Sequence, residues 1–281
     1  MAVKAIMLDT ETHALHGNAI EVAYYPLDLS SGVLSFNRKE WFNQRFNPGK
    51  PIDLGAMAIH NILDEDVADK PLHTTFRLDP DIEYLVGHNI DYDLKVLRKC
   101  GITQHFRVID TCSMARILLP NAPGYKLAIL SYYLAKDRHK VRSHLKNAHS
   151  ALTDVDLTAA LLQHLVKNLD KCYSLEDLYL FSLQCRVPVY MPFGEHKGKQ
   201  ISLLPQPYKQ WIAKQDKFDP WLKFAIELDY ASMARRHYES MNGSIPGTYE
   251  DHQFLRTRQP SDDSAIEIYE AVLIHSLSQN K

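Results

Sequence analysis

The stretch VKAIMLDTETHALHGNAIEVAYYPL, residues 3–27, predicts two successive β-strands near the start of the chain. An apolar run from Val3 to Leu8 ends in Asp-Thr-Glu, and a second apolar run extends from Ala19 to Leu27. We expect a third strand from Val33 to Phe46, where charges interrupt apolar and aromatic residues as they do in edge strands. This stretch therefore starts the β-sheet on which the rest of the fold is built.

Strand–helix units follow the three N-terminal strands. Strands are predicted at 84–88 and 108–109, and helices at 54–62, 91–99, 112–119 and 149–169. The last of these is the strongest helix signal, because apolar residues recur along it at helical spacing. Three successive strands followed by strand–helix units predict an α/β fold with a mixed sheet and helices packed on it.

The composition is that of an ordinary globular protein, with 45% of the 281 residues apolar and 23% charged. This length predicts about two domains, and the composition excludes disorder as the dominant state. The net charge is −2, so any binding of nucleic acid has to come from a local basic patch.

The four cysteines are spaced at least twelve residues apart and form no C-x-x-C pair. This spacing excludes a disulfide scaffold and a zinc ribbon, and it fits reduced thiols in a cytosolic core. Asp9 and Glu11 stand too close to the start for a signal peptide, and no window has the length of a membrane span. We therefore expect a cytoplasmic protein without a membrane partner.

Breaks in the pattern divide the chain into three parts, which we predict to be a main domain over 1–172, a small module over 188–242 and a C-terminal segment over 243–281. The last part is a linker followed by a terminal helix over 261–278. In the small module we predict Trp211 and Trp221 to lie in the core. Its better candidates for contact with a single strand are Phe193, Lys197 and Lys199.

Asp9 and Glu11 follow the first apolar run. Because residues i and i+2 of a strand point to the same face, both carboxylates can converge on one point. An isolated D-x-E pair marks a solvated strand end at least as often as it marks a site, and a second such pair stands at Asp81 and Glu83.

Two further acidic positions stand where helices begin. Asn89 is predicted to cap the helix after the fourth strand, and Asp93 then lies in its first turn. Capping with an acidic first turn is the structural alternative. His149 and Asp154 open the last apolar helix, and their side chains can meet only if His149 stands at or before the helix start.

The four carboxylates of this ordered set would repel one another severely if they met in the protein interior. Divalent cations remove that repulsion, and oxygen ligands favour Mg²⁺ or Mn²⁺ over zinc. Two such ions stabilise the attacking and leaving oxygens of a phosphodiester, and a neutral His149 can take a proton from the attacking water. The residues alone thus predict a two-metal phosphodiesterase that uses Asp9, Glu11, Asp93 and Asp154.

The ordered set resembles that of the DEDDh 3′–5′ exonucleases, and in particular their exonuclease X-like branch. The likeness extends from residue 6 to about residue 225, through AMAIHNILDEDVADKP (56–71), VIDTCSMAR (108–116) and MPFGEHKGKQISLLPQPYKQWI (191–212). Position 150 is serine, so the sequence does not fit the branch that has tyrosine there. The small module resembles the C-terminal module of exonuclease X-like proteins.

The resemblance implies an RNase H-like domain with a mixed five-stranded sheet, which releases nucleoside 5′-monophosphates from 3′ ends. It implies that Asp9 bridges both metals, that Glu11 and Asp154 complete the first, and that Asp93 holds the second, with His149 as the general base. The residues implied to contact the terminal nucleotide are Thr10, Leu15, Met57, His60 and Asn89. The loop after Glu11 reads His13-Ala14-Leu15, where the family pattern is Thr-Gly-Leu.

A basic segment precedes His149. Lys136, Arg138, Lys140, Arg142 and Lys146 are opposed only by Asp137, which gives the segment a net charge of +4 before its histidines are counted. On its own the segment is typical of a solvated loop. Beside an active site, it is better interpreted as a mobile arm in which Arg138, Lys140 and Arg142 contact the phosphates of the substrate.

The expected partner is a nucleic acid with a free 3′ end, with DNA favoured, in DNA repair or end processing. The alternatives are an RNA 3′-exonuclease similar to RNase T or oligoribonuclease, a proofreading subunit of a polymerase, and a nucleic-acid-binding module without activity. A homodimer is the further assembly left open. We find no clamp-binding or polymerase-binding motif in the sequence.

Overall fold

The computed structural model describes residues 4–30, 32–145, 150–169, 172, 174–215 and 217–227. Contacts within the chain divide it into two units, with the boundary between Ser182 and Leu183. His149, Lys146 and the predicted linker and terminal helix lie outside the described residues.

The first unit is built on a mixed β-sheet. Its strands are β1 (Ala5–Thr12), β2 (Ala19–Ser30), β3 (Val33–Phe36), β4 (Phe42–Arg45), β5 (Tyr84–Gly87) and β6 (Arg107–Asp110). The order is β3-β2-β1-β5-β6, and β4 also pairs with β2. β2 pairs antiparallel with β1, β3 and β4, whereas β5 is parallel to both β1 and β6. The predicted mixed sheet is confirmed.

The described part of this sheet has six strands, so the expected number of five was wrong. The predicted strand from Val33 to Phe46 is two short strands, β3 and β4, separated by a turn in which the Glu40 N–H donates to the Asn37 oxygen at 3.2 Å. Both strands pair with the long β2, β3 along 27–30 and β4 along 21–24. The two pairings differ in register by about three residues, because Leu27 pairs with Phe36 whereas Tyr24 pairs with Phe42, and the turn accommodates the extra residues.

Helices flank the sheet, as predicted. In the first unit they are α1 (Leu54–His60), α2 (Asp64–Val67), α3 (Asp91–Lys99), α4 (Thr111–Leu118), α5 (Leu127–Leu134), α6 (Arg138–Leu145) and α7 (Ala151–Val166). The helix α8 (Leu175–Arg186) extends across the boundary between the units, and α9 (Gln206–Ala213) belongs to the second unit. Two of them correct the sequence analysis. The basic segment is helical from Arg138 onward, not a loop, and α8 occupies a region where the periodic pattern was too weak to predict a helix.

The helix α7 packs against β1 and β2. Val155, Ala159, Leu162 and Val166 are buried, which confirms the apolar face predicted from their spacing. Because burying a valine or leucine side chain is worth about 1.5–3 kcal/mol, this face fixes α7 on the sheet. The start of α7 is thereby held close to the strands that carry Asp9 and Glu11.

The second unit has its own core of Met191, Ile201, Leu204, Ile212 and Leu222, with further apolar residues around it. Trp221 is only 7% exposed, as predicted for a core residue. The same prediction for Trp211 was wrong, because its side chain is 44% exposed while the neighbouring Ile212 fills the core from α9.

Aromatic rings form a continuous cluster at the edge of this second core. Phe193 stacks on Phe218 with the ring centres 5.3 Å apart, and Trp211 meets Phe218 edge to face at 5.2 Å. Phe193 is therefore half-buried in ring contacts, whereas Lys197 and Lys199 are exposed.

All four cysteines are free and buried, as the sequence predicted. Burial raises the pKa of the Cys100, Cys112 and Cys172 thiols to about 11, so these thiols stay protonated at neutral pH. In the described parts of the chain, no helix has both the length and the apolar character needed to cross a membrane.

Candidate active site

Three carboxylates converge at the carboxyl end of β1, an inner strand of the sheet. Asp9 and Glu11 stand two residues apart on β1, and Asp154 lies in the first turn of α7. One oxygen from each of the three lies within 4.8 Å of the other two. The pairing register of β1 with β2 shifts directly afterwards, between Glu11 and Thr12, and such irregularities re-aim side chains near sites. The structure thus brings together residues that are more than 140 positions apart.

Asp93 stands beside this group but is not a member of it. Its side chain is only 4% exposed, and the hydroxyl of Thr10 donates a hydrogen bond to its Oδ1 at 2.7 Å. The charge of Asp93 nevertheless raises the pKa of both Asp9 and Glu11, so Asp93 lies close enough to interact electrostatically with both carboxylates.

The protonation of the site reflects burial and mutual repulsion. Burial, followed by the charges of Asp154, Glu21 and Asp93, raises the pKa of Glu11 to about 9. The same causes hold the pKa of Asp9 well above its usual range. Burial raises the pKa of Asp93 to about 7, although its hydrogen bond from Thr10 opposes the shift.

This chemistry fits a divalent cation. Carboxylate oxygens are the ligands that Mg²⁺ and Mn²⁺ prefer, and a dication would remove the repulsion that raises these pKa values. Because only the ionised carboxylates bind metal, binding would release protons from Glu11 and its neighbours. The donor set of Asp9, Glu11 and Asp154 therefore has the character of a metal site.

The predicted general base, His149, lies outside the described residues. The helix that carries Asp154 begins at Ala151, with Ser150 as its N-cap. The Ser150 hydroxyl oxygen accepts from the Thr153 N–H at 3.4 Å.

The residues predicted to contact the terminal nucleotide lie in different surroundings. Leu15 is 81% exposed on the loop after β1. Met57, which lies on α1, is half-buried against a small cluster of buried apolar residues. The ring of His60 is buried and its Nδ1 accepts the Ile62 N–H at 3.0 Å. Thr10 is buried, and its hydroxyl is occupied by Asp93.

The prediction that Asn89 caps α3 was wrong. Ile90 is the N-cap residue, without a side-chain hydrogen bond, while Asn89 is exposed and has a left-handed backbone, with φ of 63°. The Asn89 N–H donates to the Asp110 carboxylate at 2.7 Å, and Asp110 also caps α4 through the Cys112 and Ser113 N–H groups. Asp110 thus holds the connection between β5 and the helix that carries Asp93.

A glycine closes the loop after β1 at a different position from the family pattern. The Gly17 N–H donates to the Ala14 oxygen at 2.7 Å, and a Cβ at position 17 would lie 2.7 Å from that same oxygen. Only glycine permits this approach. The loop therefore closes tightly although position 14 is alanine.

Glu21 is a buried acid that the sequence analysis did not identify. It lies on β2 directly opposite Glu11 and is 4% exposed. Its Oε2 accepts the Ala151 N–H at 2.9 Å, and its charge contributes to the raised pKa of Asp9 and Glu11. The available signal was a single acid in the middle of the apolar run AIEVA, residues 19–23.

The cations predicted to contact phosphate lie on α6. Arg138, Lys140 and Arg142 are all exposed, and no residue of this helix is buried. The whole helix therefore presents charge to solvent.

Comparison with known proteins finds relatives that match most of the chain. Exodeoxyribonuclease 10 of Escherichia coli strain K12 is 26% identical over 226 residues, which cover 79% of this chain and 96% of that protein. The DNA polymerase III subunit epsilon of Rickettsia conorii is 28% identical over 241 residues, covering 77% and 95% respectively. The resemblance to the DEDDh exonucleases is confirmed. No family model matches the chain.

Two solved structures are also similar to this chain. Exonuclease X in complex with 5′ overhanging duplex DNA is 28% identical and covers 62% of this chain and 99% of that one, with a TM-score of 0.46. Escherichia coli exonuclease I in complex with a dA16 oligonucleotide is 18% identical, covers 65% and 44%, and has a TM-score of 0.47.

We expect the metal-free protein to lose stability as the pH rises from about 5 to about 9. Carboxyl groups with raised pKa values favour the folded state while they are protonated. For Glu11 this contribution is complete below the ordinary pKa of 4.5 and is lost as the pH passes about 9. Melting temperatures measured across this pH range, in EDTA and in excess Mg²⁺, show the loss of stability. The cation should flatten the slope of melting temperature against pH.

The variant Asp9→Asn tests whether these carboxylates cause the pH dependence. Removing one charge should flatten the slope of melting temperature against pH in EDTA, without any metal. Asp81→Asn, at an exposed loop position, is the matched control and should leave the slope unchanged. Equal slopes in EDTA for the wild type and Asp9→Asn would show that the pH dependence arises elsewhere.

Proposed function

We propose that this chain is a metal-dependent 3′–5′ exonuclease that hydrolyses phosphodiester bonds at the 3′ ends of DNA and releases nucleoside 5′-monophosphates. The observation that carries the proposal is the convergence of Asp9, Glu11 and Asp154 within 4.8 Å, with buried Asp93 beside them. The similarity to Exodeoxyribonuclease 10 over 79% of the chain supports the same reaction and the choice of DNA.

The residues divide the work in the following way. Asp9, Glu11 and Asp154 would hold one Mg²⁺ or Mn²⁺, and Asp93 together with Asp9 would help to hold a second. Bound cations of this kind stabilise negative charge on the attacking and leaving oxygens of a phosphodiester. His149 takes the proton from the attacking water, and Thr10 orients Asp93 through the hydrogen bond to its Oδ1.

The substrate is held by residues around this centre. Leu15, exposed on its loop, contacts the bases, while Met57, His60 and Asn89 line the approach of the terminal nucleotide. The exposed cations Arg138, Lys140 and Arg142 contact backbone phosphates, because α6 carries them on a surface without buried residues.

The cellular role that we propose is DNA repair or DNA end processing in the cytoplasm, in agreement with four free, buried thiols. Rates on matched DNA and RNA oligonucleotides distinguish this from an RNA 3′-exonuclease. The molar mass in solution tests whether the enzyme is a homodimer.

A proofreading subunit is the second candidate function. The observation in its favour is the similarity to DNA polymerase III epsilon subunits, including one from Rickettsia felis, which is 26% identical over 234 residues. Co-purification of a polymerase with the full chain would support this role, whereas an active enzyme that purifies alone favours the first.

Digestion of end-labelled DNA tests the reaction directly. With Mg²⁺ or Mn²⁺, a 3′ label should be released at once as a mononucleotide, while 5′-labelled strands shorten step by step. EDTA and Asp9→Ala should each abolish both changes, because either removes a part of the metal site. Binding of DNA without any cleavage would instead indicate an inactive binding module.

We expect His149→Ala to lower kcat about 10²–10⁴-fold, the range found for loss of a general base. The variant should keep the wild-type melting temperature. His164→Ala, further along α7, is the matched control and should retain full activity. A fully active His149→Ala enzyme would show that another group takes the proton.

Replacing Arg138, Lys140 and Arg142 together by glutamine should raise KM and flatten its dependence on salt, because fewer counterions are released on binding. Initial rates over a range of salt concentrations measure both. The control variant loses the same number of charges outside α6, by replacement of Lys39, Lys167 and Lys214 with glutamine. Unchanged salt slopes in the first variant would argue against contacts between α6 and phosphate.

A further inference from the structure

We propose that Glu21 is a positioning residue of the active site, which holds the start of α7 so that Asp154 faces Asp9 and Glu11. This inference rests on the proposed function, since it concerns the geometry of the same metal site. It assigns to Glu21 the placement of a ligand, not contact with substrate or with the reacting atoms.

The central contact joins the sheet to the helix. Glu21 Oε2 accepts the N–H of Ala151, the first residue of α7, at 2.9 Å, and both residues are buried. The first N–H groups of a helix have no partner within the helix, and a carboxylate there also complements the helix dipole. A carboxylate 130 positions earlier in the chain therefore satisfies a group that would otherwise be buried without a partner.

A local cap cannot replace this contact. Ser150 satisfies the Thr153 N–H, but Ser150 precedes the same helix and moves with it. Glu21 lies on β2, so its hydrogen bond joins the helix start to the sheet, whereas the hydrogen bond of Ser150 does not.

The anchor is one helical turn from the metal ligand. The Asp154 N–H donates to the Ser150 oxygen at 3.1 Å, which makes Asp154 part of the first rigid turn after Ala151. A shift of the helix start would therefore move the Asp154 carboxylate by a similar amount. Because its oxygen lies within 4.8 Å of oxygens from Asp9 and Glu11, such a shift would open the site.

The pairing of the strands places the anchor beside the ligands. Glu21 and Glu11 are direct partners in the antiparallel register of β1 and β2, so their side chains lie on the same face. The negative charge of Glu21 raises the pKa of both Asp9 and Glu11, which is an unfavourable interaction. Glu21 therefore adds repulsion to the site while it provides the fixed hydrogen bond.

Arg45 offsets part of this repulsion. It is the register partner of Glu21 on β4, and its Nε lies 3.7 Å from Glu21 Oε1. Each oxygen of the carboxylate thus has its own partner, Oε1 facing Arg45 and Oε2 accepting from Ala151. A glutamine at this position could still accept from Ala151 but would lose the attraction to Arg45.

The test compares Glu21→Ala and Glu21→Gln with the wild-type full chain. Mn²⁺ affinity, measured by titration without substrate, and kcat on 3′-labelled DNA should each fall about 10–100-fold in Glu21→Ala, as for loss of a group that orients a metal ligand. KM for DNA should stay within about twofold, since Glu21 does not contact substrate. Glu21→Gln should lie between the two, because it keeps the hydrogen bond to Ala151.

Asp28→Ala, an exposed acid on the same strand, is the matched control and should change neither quantity. A lower melting temperature of Glu21→Ala with unchanged Mn²⁺ affinity and kcat would overturn the inference. If Glu21→Ala does not fold, Glu21→Gln decides: because glutamine keeps the hydrogen bond to Ala151, a loss of Mn²⁺ affinity and kcat of about 10–100-fold in that variant would count against positioning through this bond.

The outcome for the proposed function is separate. A wild-type protein that binds Mn²⁺ but releases no 3′ nucleotide contradicts the exonuclease proposal, while the affinities of the Glu21 variants still decide the positioning.

Discussion

The burial of the carboxylates at the candidate active site, together with their mutual repulsion, is the constraint that the fold has to overcome. Burial and neighbouring charges raise the pKa of Glu11 to about 9 and that of Asp93 to about 7. A raised pKa means that the ionised form of these carboxyl groups is unfavourable in the folded, metal-free protein. The packing of the sheet and of α7 provides the stability that keeps these carboxylates together, and a dication would make their arrangement favourable.

Rigid elements carry each of these groups. β1 lies between β2 and β5 in the sheet, so the strand with Asp9 and Glu11 is hydrogen-bonded on both sides. Asp93 is fixed by the Thr10 hydroxyl from the same strand, and Asp154 is carried by the buried helix α7. A site built on a central strand and a packed helix holds its distances better than one built on loops.

The two units have different relations to the proposed activity. The first contains the converging carboxylates and the basic helix α6, which together are enough to define a reaction and a charged substrate. The second has a separate apolar core, and among its described residues the rings of Phe193, Tyr208, Trp211 and Phe218 contact one another. The carboxylates and cations that support the proposed exonuclease activity therefore lie in the first unit.

The sequence by itself determined the features that depend on local geometry. Strand periodicity placed Asp9 and Glu11 on one face, and helical periodicity identified the buried face of α7. Only the tertiary structure decided the partition of 33–46 into two strands, the exposure of Trp211 and the contact between Glu21 and Ala151. Backbone geometry repeats every two or 3.6 residues and can be recognised in a short window, whereas burial and pairing depend on residues far away in the chain.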